Sequence, residues 1–246
     1  MPVRIFKPYI GVGQVYAKAY GVAGPMPEVG GVSELKLTIN EDIKKQRSFN
    51  RTGGGNRATV NQIKEVMFEA KLQDLNAVNI ARGVFGQNSE VALGTIVGEP
   101  HKAYKGGLIR LAHPAPTSVV VKIGAVTVVA GTNYEVRPEG IYILDLAATI
   151  VDGDDVLIDY AHTGYDVIQA LVTSAPTLEM SFGGMNEADN SSPLIVDVFR
   201  VKMNATGGFG LITSDFAEFD QKGEVLEDPT KIGVGISKFF KVYSGK

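Results

Sequence analysis

The residues whose types suit chemistry are few, and each set lacks a partner that its chemistry requires. Gly11-Val12-Gly13-Gln14-Val15-Tyr16 has the opening spacing of a dinucleotide fingerprint, but no strand leads into it and no helix follows to offer its N-terminus to a pyrophosphate. Asp152, Asp154 and Asp155 offer oxygen ligands of the kind calcium takes, yet without the loop spacing or terminal Glu of an EF-hand. An Asp-Gly turn accounts for them more simply. His101, His113 and His162 fall in expected loops or strand ends. They have no i, i+4 pairing and no Glu beside them in a helix, so metal ligation is not expected. No Gly-x-Ser-x-Gly elbow occurs, and Ser33 sits in a sheet pattern. Gly53-Gly54-Gly55 lacks the Lys-Ser or Lys-Thr that completes a P-loop and reads as a flexible tip. The expectation is a protein that is not an enzyme, with no catalytic residues, no cofactor and no metal.

Arg47, Phe49 and Arg51 place an aromatic between two cations, the arrangement of a nucleic-acid-binding ribbon. A hairpin that docks on protein has the same composition and suits the net charge of −3 better.

The elements around these residues are mostly strands. From Val32 the chain alternates with period two, Leu35, Leu37 and Ile39 on one face and Glu34, Lys36, Thr38 and Asn40 on the other. Lys44, Lys45, Arg47, Arg51 and Arg57 then surround Gly53, Gly54 and Gly55, which predicts a long cationic hairpin over 42–61. Alternation returns at Val66, Phe68, Ala70 and Leu72. Asp74 is placed to cap a helix over 74–83, with Leu75, Val78, Ala81 and Phe85 at three- or four-residue intervals as its apolar face. Further strands are expected at 13–20, 91–97, 108–112, 166–172, 177–182, 194–203, 216–226 and 234–242.

Gly31-Val32-Ser33-Glu34-Leu35-Lys36-Leu37-Thr38-Ile39, then Asp74-Leu75-Asn76-Ala77-Val78-Asn79-Ile80-Ala81, then Val84-Phe85-Gly86 together resemble the tail tube (major tail) proteins of long-tailed bacteriophages. The resemblance covers roughly the first hundred residues and, more loosely, the final strands. It implies an all-β fold with one short α-helix, a β-sandwich or barrel whose copies close into stacked hexameric rings. The inner strands would line a lumen, and the 42–61 hairpin would reach the next ring. The implied partners are further copies of the chain, a tape-measure protein, a tail terminator and a baseplate initiator. Double-stranded DNA would pass without specific binding. The implied location is the virion tail, after synthesis in the host cytoplasm.

Composition agrees with strands and turns. The chain of 246 residues has 29 glycines, no tryptophan and no cysteine, which excludes disulfides, thiolate metal sites and cysteine nucleophiles. Met1-Pro2-Val3-Arg4 opens no expected signal peptide, and no apolar run suggests a membrane span. Charge is unevenly distributed: 41–57 carries five cations and two acids, whereas 213–230 carries Asp215, Glu218, Asp220, Glu224, Glu227 and Asp228 against Lys222 alone. Opposed surfaces of this kind set register between copies more than they set affinity. A lumen that passes DNA should be polar or acidic, since cationic walls bind phosphate; Glu34, Glu69 and Asp197 are the candidates.

Residues 114–163 read as an inserted immunoglobulin-like β unit, with strands at 118–123, 125–130, 134–137, 141–144 and 156–160 separated by Gly, Pro, Asn and Asp turns. The tail-tube core is then expected at 1–113 and 164–246. A surface-decorating or adhesin-like β protein, its inserted unit binding a glycan or receptor, is the alternative.

Overall fold

The computed structural model describes residues 8–50, 52–208 and 210–245. The fold is all-β with one short helix. The chain divides into two compact units, Met1–Asn88 with Ile168–Lys246, and Ser89–Val167. In chain order the elements are β1 (Gly11–Ala19), β2 (Val32–Arg47), β3 (Asn56–Leu72), α1 (Ala77–Gly83), β4 (Gln87–Val91), β5 (Gly94–Ala103), β6 (Leu108–Arg110) and β7 (Thr117–Ile123). They continue as β8 (Val126–Val128), β9 (Tyr134–Arg137), β10 (Gly140–Ile143), β11 (Asp154–His162), β12 (Tyr165–Gln169), β13 (Thr177–Asn186), β14 (Ser192–Met203), β15 (Phe219–Val225) and β16 (Phe240–Ser244). Strands β4 and β12, which carry the chain between the units, pair with each other.

The first unit is one antiparallel sheet in the order β1-β13-β14-β15-β3-β2, with β16 also on β14. Strand β14 serves two stretches of this sheet: Leu194 to Val198 pair with β16, and Val201 to Met203 with β15. Between them Met180 faces Val198 while Leu178 faces Val201, so β14 holds an extra residue. A bulge of this kind bends a strand and lets it turn a corner between packed layers. The core inside the bend contains Val15, Ala17, Phe68, Leu72, Met180, Val201 and Phe219. Burying side chains as large as Phe68 and Phe219 stabilises the unit by about 1.5–3 kcal/mol each.

The short helix differs from its expectation. Asn76, not Asp74, is the N-cap, its Oδ1 accepting from Asn79 N at 2.9 Å. Asp74 instead accepts from Gly31 N at 2.7 Å and ties the helix approach to the start of β2. Leu75 precedes the helix and Val78 faces solvent, while Asn79, Ala81 and Gly83 are buried. A Cβ on Gly83 would lie 2.0 Å from Cζ of Phe219, so the glycine is what lets the helix press onto that ring. Asn79 is satisfied where it is buried, its side-chain amide donating to Val29 O at 2.8 Å and Asp74 O at 3.1 Å. The expected strand over 234–242 is also shorter: Ile232, Val234 and Ile236 are exposed loop residues, and pairing begins only at Phe240.

The second unit holds two sheets, β5-β11-β7-β8 and β6-β10-β9, enclosing Ile109, Val121, Ile141, Ile143, Val156, Ile158 and Tyr160. It begins at Ser89, well before the expected boundary at 114. The reason is pairing: β5 lies along β11 from Ala103↔Asp154 to Gly94↔His162, and β6 pairs with β10. Pro114 and Pro116, which fall at that expected boundary, sit in a loop inside the unit.

Candidate assembly surface

The cationic hairpin is longer and more regular than its sequence suggested. Strands β2 and β3 stay paired from Val32↔Leu72 to Arg47↔Asn56, and Ser48 N donates to Gly55 O at 2.8 Å to close the tip. Gly53 takes φ +91°, a conformation side chains rarely adopt. The ribbon has two different halves. Over 65–72, β3 alternates half-buried and buried residues, whereas 56–64 on β3 and 41–47 on β2 are exposed at every position. The halves meet at a bulge, because Asn40 faces Glu65 but Glu41 faces Ile63, leaving Lys64 extra.

On the exposed half, Glu41 opposes Ile63 and Ile43 opposes Asn61, which places Ile43 and Ile63 on one side. They are 47% and 57% exposed, and Phe49 at the tip is 86% exposed. Lys44 and Val60 oppose each other on the other side, as Lys45 and Thr59 do beside Ile43. Lys44 lies 3.9 Å from Asp42, and both are open to water, so the pair contributes little. Lys45, Arg47, Gly54 and Arg57 are exposed. Arg51 lies outside the described residues, as do Met1, Pro2, Val3 and Arg4.

The segment expected to present an acidic surface is not uniform. Asp215, Glu218, Asp220, Glu224 and Glu227 are exposed, but Ser33 donates to Glu218 at 2.9 Å and Lys238 lies 3.3 Å from Glu227. Asp228 does not belong to any surface: it is 4% exposed. Its Oδ1 accepts from the Tyr20 hydroxyl at 2.8 Å, from Thr230 N at 3.0 Å and from Thr230 Oγ1 at 2.8 Å. Burial opposes its charge, but these hydrogen bonds outweigh burial and hold the carboxyl below its ordinary range.

Of the residues proposed to line a lumen, Glu34 and Glu69 share the outward face of β2 and β3, alternating with lysines. Glu34 lies 3.4 Å from Lys71, and Glu69 lies 3.7 Å from Lys222. Register extends the pattern across three strands, Glu34-Lys71-Asp220 beside Lys36-Glu69-Lys222. The face is therefore a mosaic of both signs. Asp197 is half-buried on β14 and accepts from Ser181 Oγ at 2.7 Å.

Strand β2 ends the sheet, so its outer edge pairs with no strand among the described residues. The other end, β1, is covered: Ala17 N donates to Pro27 O at 3.0 Å and Val29 N to Val15 O at 2.8 Å. Between β1 and β2 the core opens as a cleft of about 730 Å³, lined by Leu35, Leu37, Phe68 and Phe182 together with the polar Ser33, Glu34 and Ser181.

Residues 8–243 match the family described as "Protein of unknown function UCP028589". The chain belongs to that family. No curated protein matches it.

Sequence reasoning missed one constellation in this family member. The three histidines gather in the second unit, although they are far apart in the chain. His113 and His162 stack with ring centroids 4.0 Å apart and planes 2° from parallel, and Tyr165 meets both rings edge-on at 5.9 Å. Beside them Glu99 accepts from the Tyr160 hydroxyl, from His101 Nε2 at 2.7 Å and from Ala112 N at 3.0 Å. Burial alone would raise the Glu99 pKa, but these donors keep its carboxyl below the ordinary range. Burial and the bond to Glu99 push the Tyr160 phenol up to about 12. Among the described residues no group of three or more His, Asp or Glu is placed to hold a metal ion. The signal that finds the cluster is the pairing of β5 with β11, which no local motif encodes. Among the described residues, no helix is long and apolar enough to cross a membrane.

Proposed function

We propose that this chain is a self-assembling virion structural subunit, whose copies close into hexameric rings and stack into a tail tube that conducts DNA to the host. The observation that carries the reading is the exposed half of the β2–β3 ribbon, a stretch of regular pairing that leaves Ile43, Val60, Ile63 and Phe49 uncovered in one copy. Ile43 and Ile63 share one face of the ribbon and Val60 lies on the other, so both faces expose apolar side chains of the kind that mark surfaces awaiting a partner. The free edge of β2 belongs to the same logic, since a long unpaired edge is an aggregation hazard unless a neighbouring copy pairs with it. Leu211, Ile212 and Phe216, 86–98% exposed in the loop before β15, add a second uncovered apolar surface. One heterologous interface repeated along an axis then builds a filament. Partners at the ends and in the lumen would be a tail terminator, a baseplate initiator and a tape-measure protein, and the mosaic of Glu34, Glu69 and their lysines would give DNA no continuous cationic track.

Electron microscopy of the purified chain tests the reading. Tubes or stacked six-fold rings are expected. A persistently dispersed monomer at high protein concentration would overturn it and favour a surface-decorating role for the second unit.

A further inference from the structure

We propose that the stacked His113–His162 pair is a proton-operated latch at the root of the second unit, closed when the rings are neutral and released when both carry a proton. The inference does not rest on the assembly reading. Three features support it. The first is position. His162 is the last residue of β11 and faces Gly94, the first residue of β5, so it marks the strand ends where the chain enters and leaves the unit. His113 arrives from the loop between β6 and β7, and the stack lies beside the hydrogen bonds of Ala112 N to Glu99 and His113 N to the Tyr160 hydroxyl that tie this loop to β5 and β11.

The second feature is the saturation of the surroundings. His162 is 6% exposed. Its Nδ1 lies 3.1 Å from the carbonyl of Thr163, so Nδ1 carries the proton and donates. Its Nε2 lies against Gly94, where even a Cβ would approach to 2.9 Å. Among the described residues Nε2 makes no hydrogen bond, so a second proton there has no protein partner already in place. His113 Nδ1 lies 2.8 Å from the Tyr165 hydroxyl, which accepts from the ring whenever Nδ1 carries a proton.

The third feature concerns the charges facing the stack. From β5 come Glu99 and His101, from β11 Tyr160, and from β12 Tyr165. Glu99 already accepts three hydrogen bonds, one of them from His101, and makes none to either ring of the stack. Two cationic rings 4.0 Å apart therefore repel at close range without a dedicated counter-ion. Burial opposes the charge of Glu99, but its hydrogen bonds from Tyr160, His101 and Ala112 N hold the carboxyl below its ordinary range.

The test is hydrogen–deuterium exchange on the full chain at pH 7.5 and pH 5, corrected for intrinsic exchange. The reporters are the amides of Ala112, which donates to Glu99, and His113, which donates to the Tyr160 hydroxyl. Protection there is expected to fall at least tenfold in acid, while amides of β14 keep theirs. His113→Phe, which keeps a stacked ring without its charge, is expected to abolish the fall. His101→Gln is expected to leave it in place. Equal protection at both pH values, a parallel loss in β14, or a fall that persists in His113→Phe would each overturn the latch. Should His113→Phe not fold, His162→Phe makes the same comparison, and the wild-type pH pair alone still decides against the latch if protection does not change.

Discussion

The two halves of the β2–β3 ribbon share strands, pairing pattern and continuity, yet they are held by different forces. At the root, Val66, Phe68, Ala70 and Leu72 are buried against β1, β13, β14 and β15, and backbone pairing is reinforced by apolar packing. Beyond the bulge at Lys64 every residue of both strands is exposed, and pairing is carried by backbone hydrogen bonds and cross-strand neighbours alone. Each such bond contributes only about 0.5–1.5 kcal/mol net. The lesson is that a strand can be regular without being part of a core, and that its uncovered side chains are then free to serve another molecule.

The largest expected effect is at the root. Phe68→Ala should destabilise the first unit by about 3–5 kcal/mol in denaturant unfolding, whereas Ile63→Ala should stay within about 0.5 kcal/mol of wild type. Equal losses would erase the distinction between the halves. Gly83→Ala comes next, at about 1–3 kcal/mol, because the added carbon meets the Phe219 ring that β15 presents beside the root.

Removing the Asp228 carboxylate by Asp228→Ala should cost about 1–3 kcal/mol, since Tyr20 and Thr230 lose their acceptor. The folded pKa of Asp228 is depressed, so its contribution is present above the unfolded value and lost as pH falls through the folded one. Unfolding of wild type should therefore lose stability in acid more steeply than that of Asp228→Ala. Tyr160 has the opposite sign. Its raised pKa contributes stability below about pH 10 that is lost as pH rises toward about 12, and Tyr160→Phe should flatten that alkaline limb.

The smallest effect on stability, and the most telling, belongs to the exposed half. Ile43→Asp with Ile63→Asp should unfold like wild type within about 0.5 kcal/mol but fail to form large particles in sedimentation. Reversing Lys44, Lys45 and Arg47 to Glu should leave the fold intact and change the salt dependence of assembly. Polymer formation indifferent to both sets would remove the ribbon from the interface.

What the sequence disclosed follows the same division. Period-two alternation made the root legible, because one face of β3 is buried. The outer half carries no such alternation, so only a hairpin over 42–61 was expected where the strands in fact continue to Arg47 and resume at Asn56. Asp74 and Asn76 are equally good caps by type; the choice fell to Asn76 because Gly31 N engages Asp74 across the fold. The alternating Ile232, Val234 and Ile236 mimic a strand yet lie exposed in a loop. Asp228 read as one more surface acid, since nothing local announces that Tyr20, 208 residues away, buries it. The histidine cluster was invisible for the same reason: it is made by pairing β5 with β11.

The outer ribbon also has a length. Residues 41–47, at about 3.3 Å of rise each, form a stalk roughly 20 Å long. Pulled from its closed tip, such a stalk carries the load along both strands in parallel, so its cross-strand bonds are neither sheared nor unzipped and the strain falls where the strands are anchored. The load passes through Phe68 and Ala70 into β15, and from Phe219 onto the helix pressed against it. A tug on the tip is thus delivered to the middle of the core, which makes the ribbon a tensile strut as well as the docking surface proposed for it.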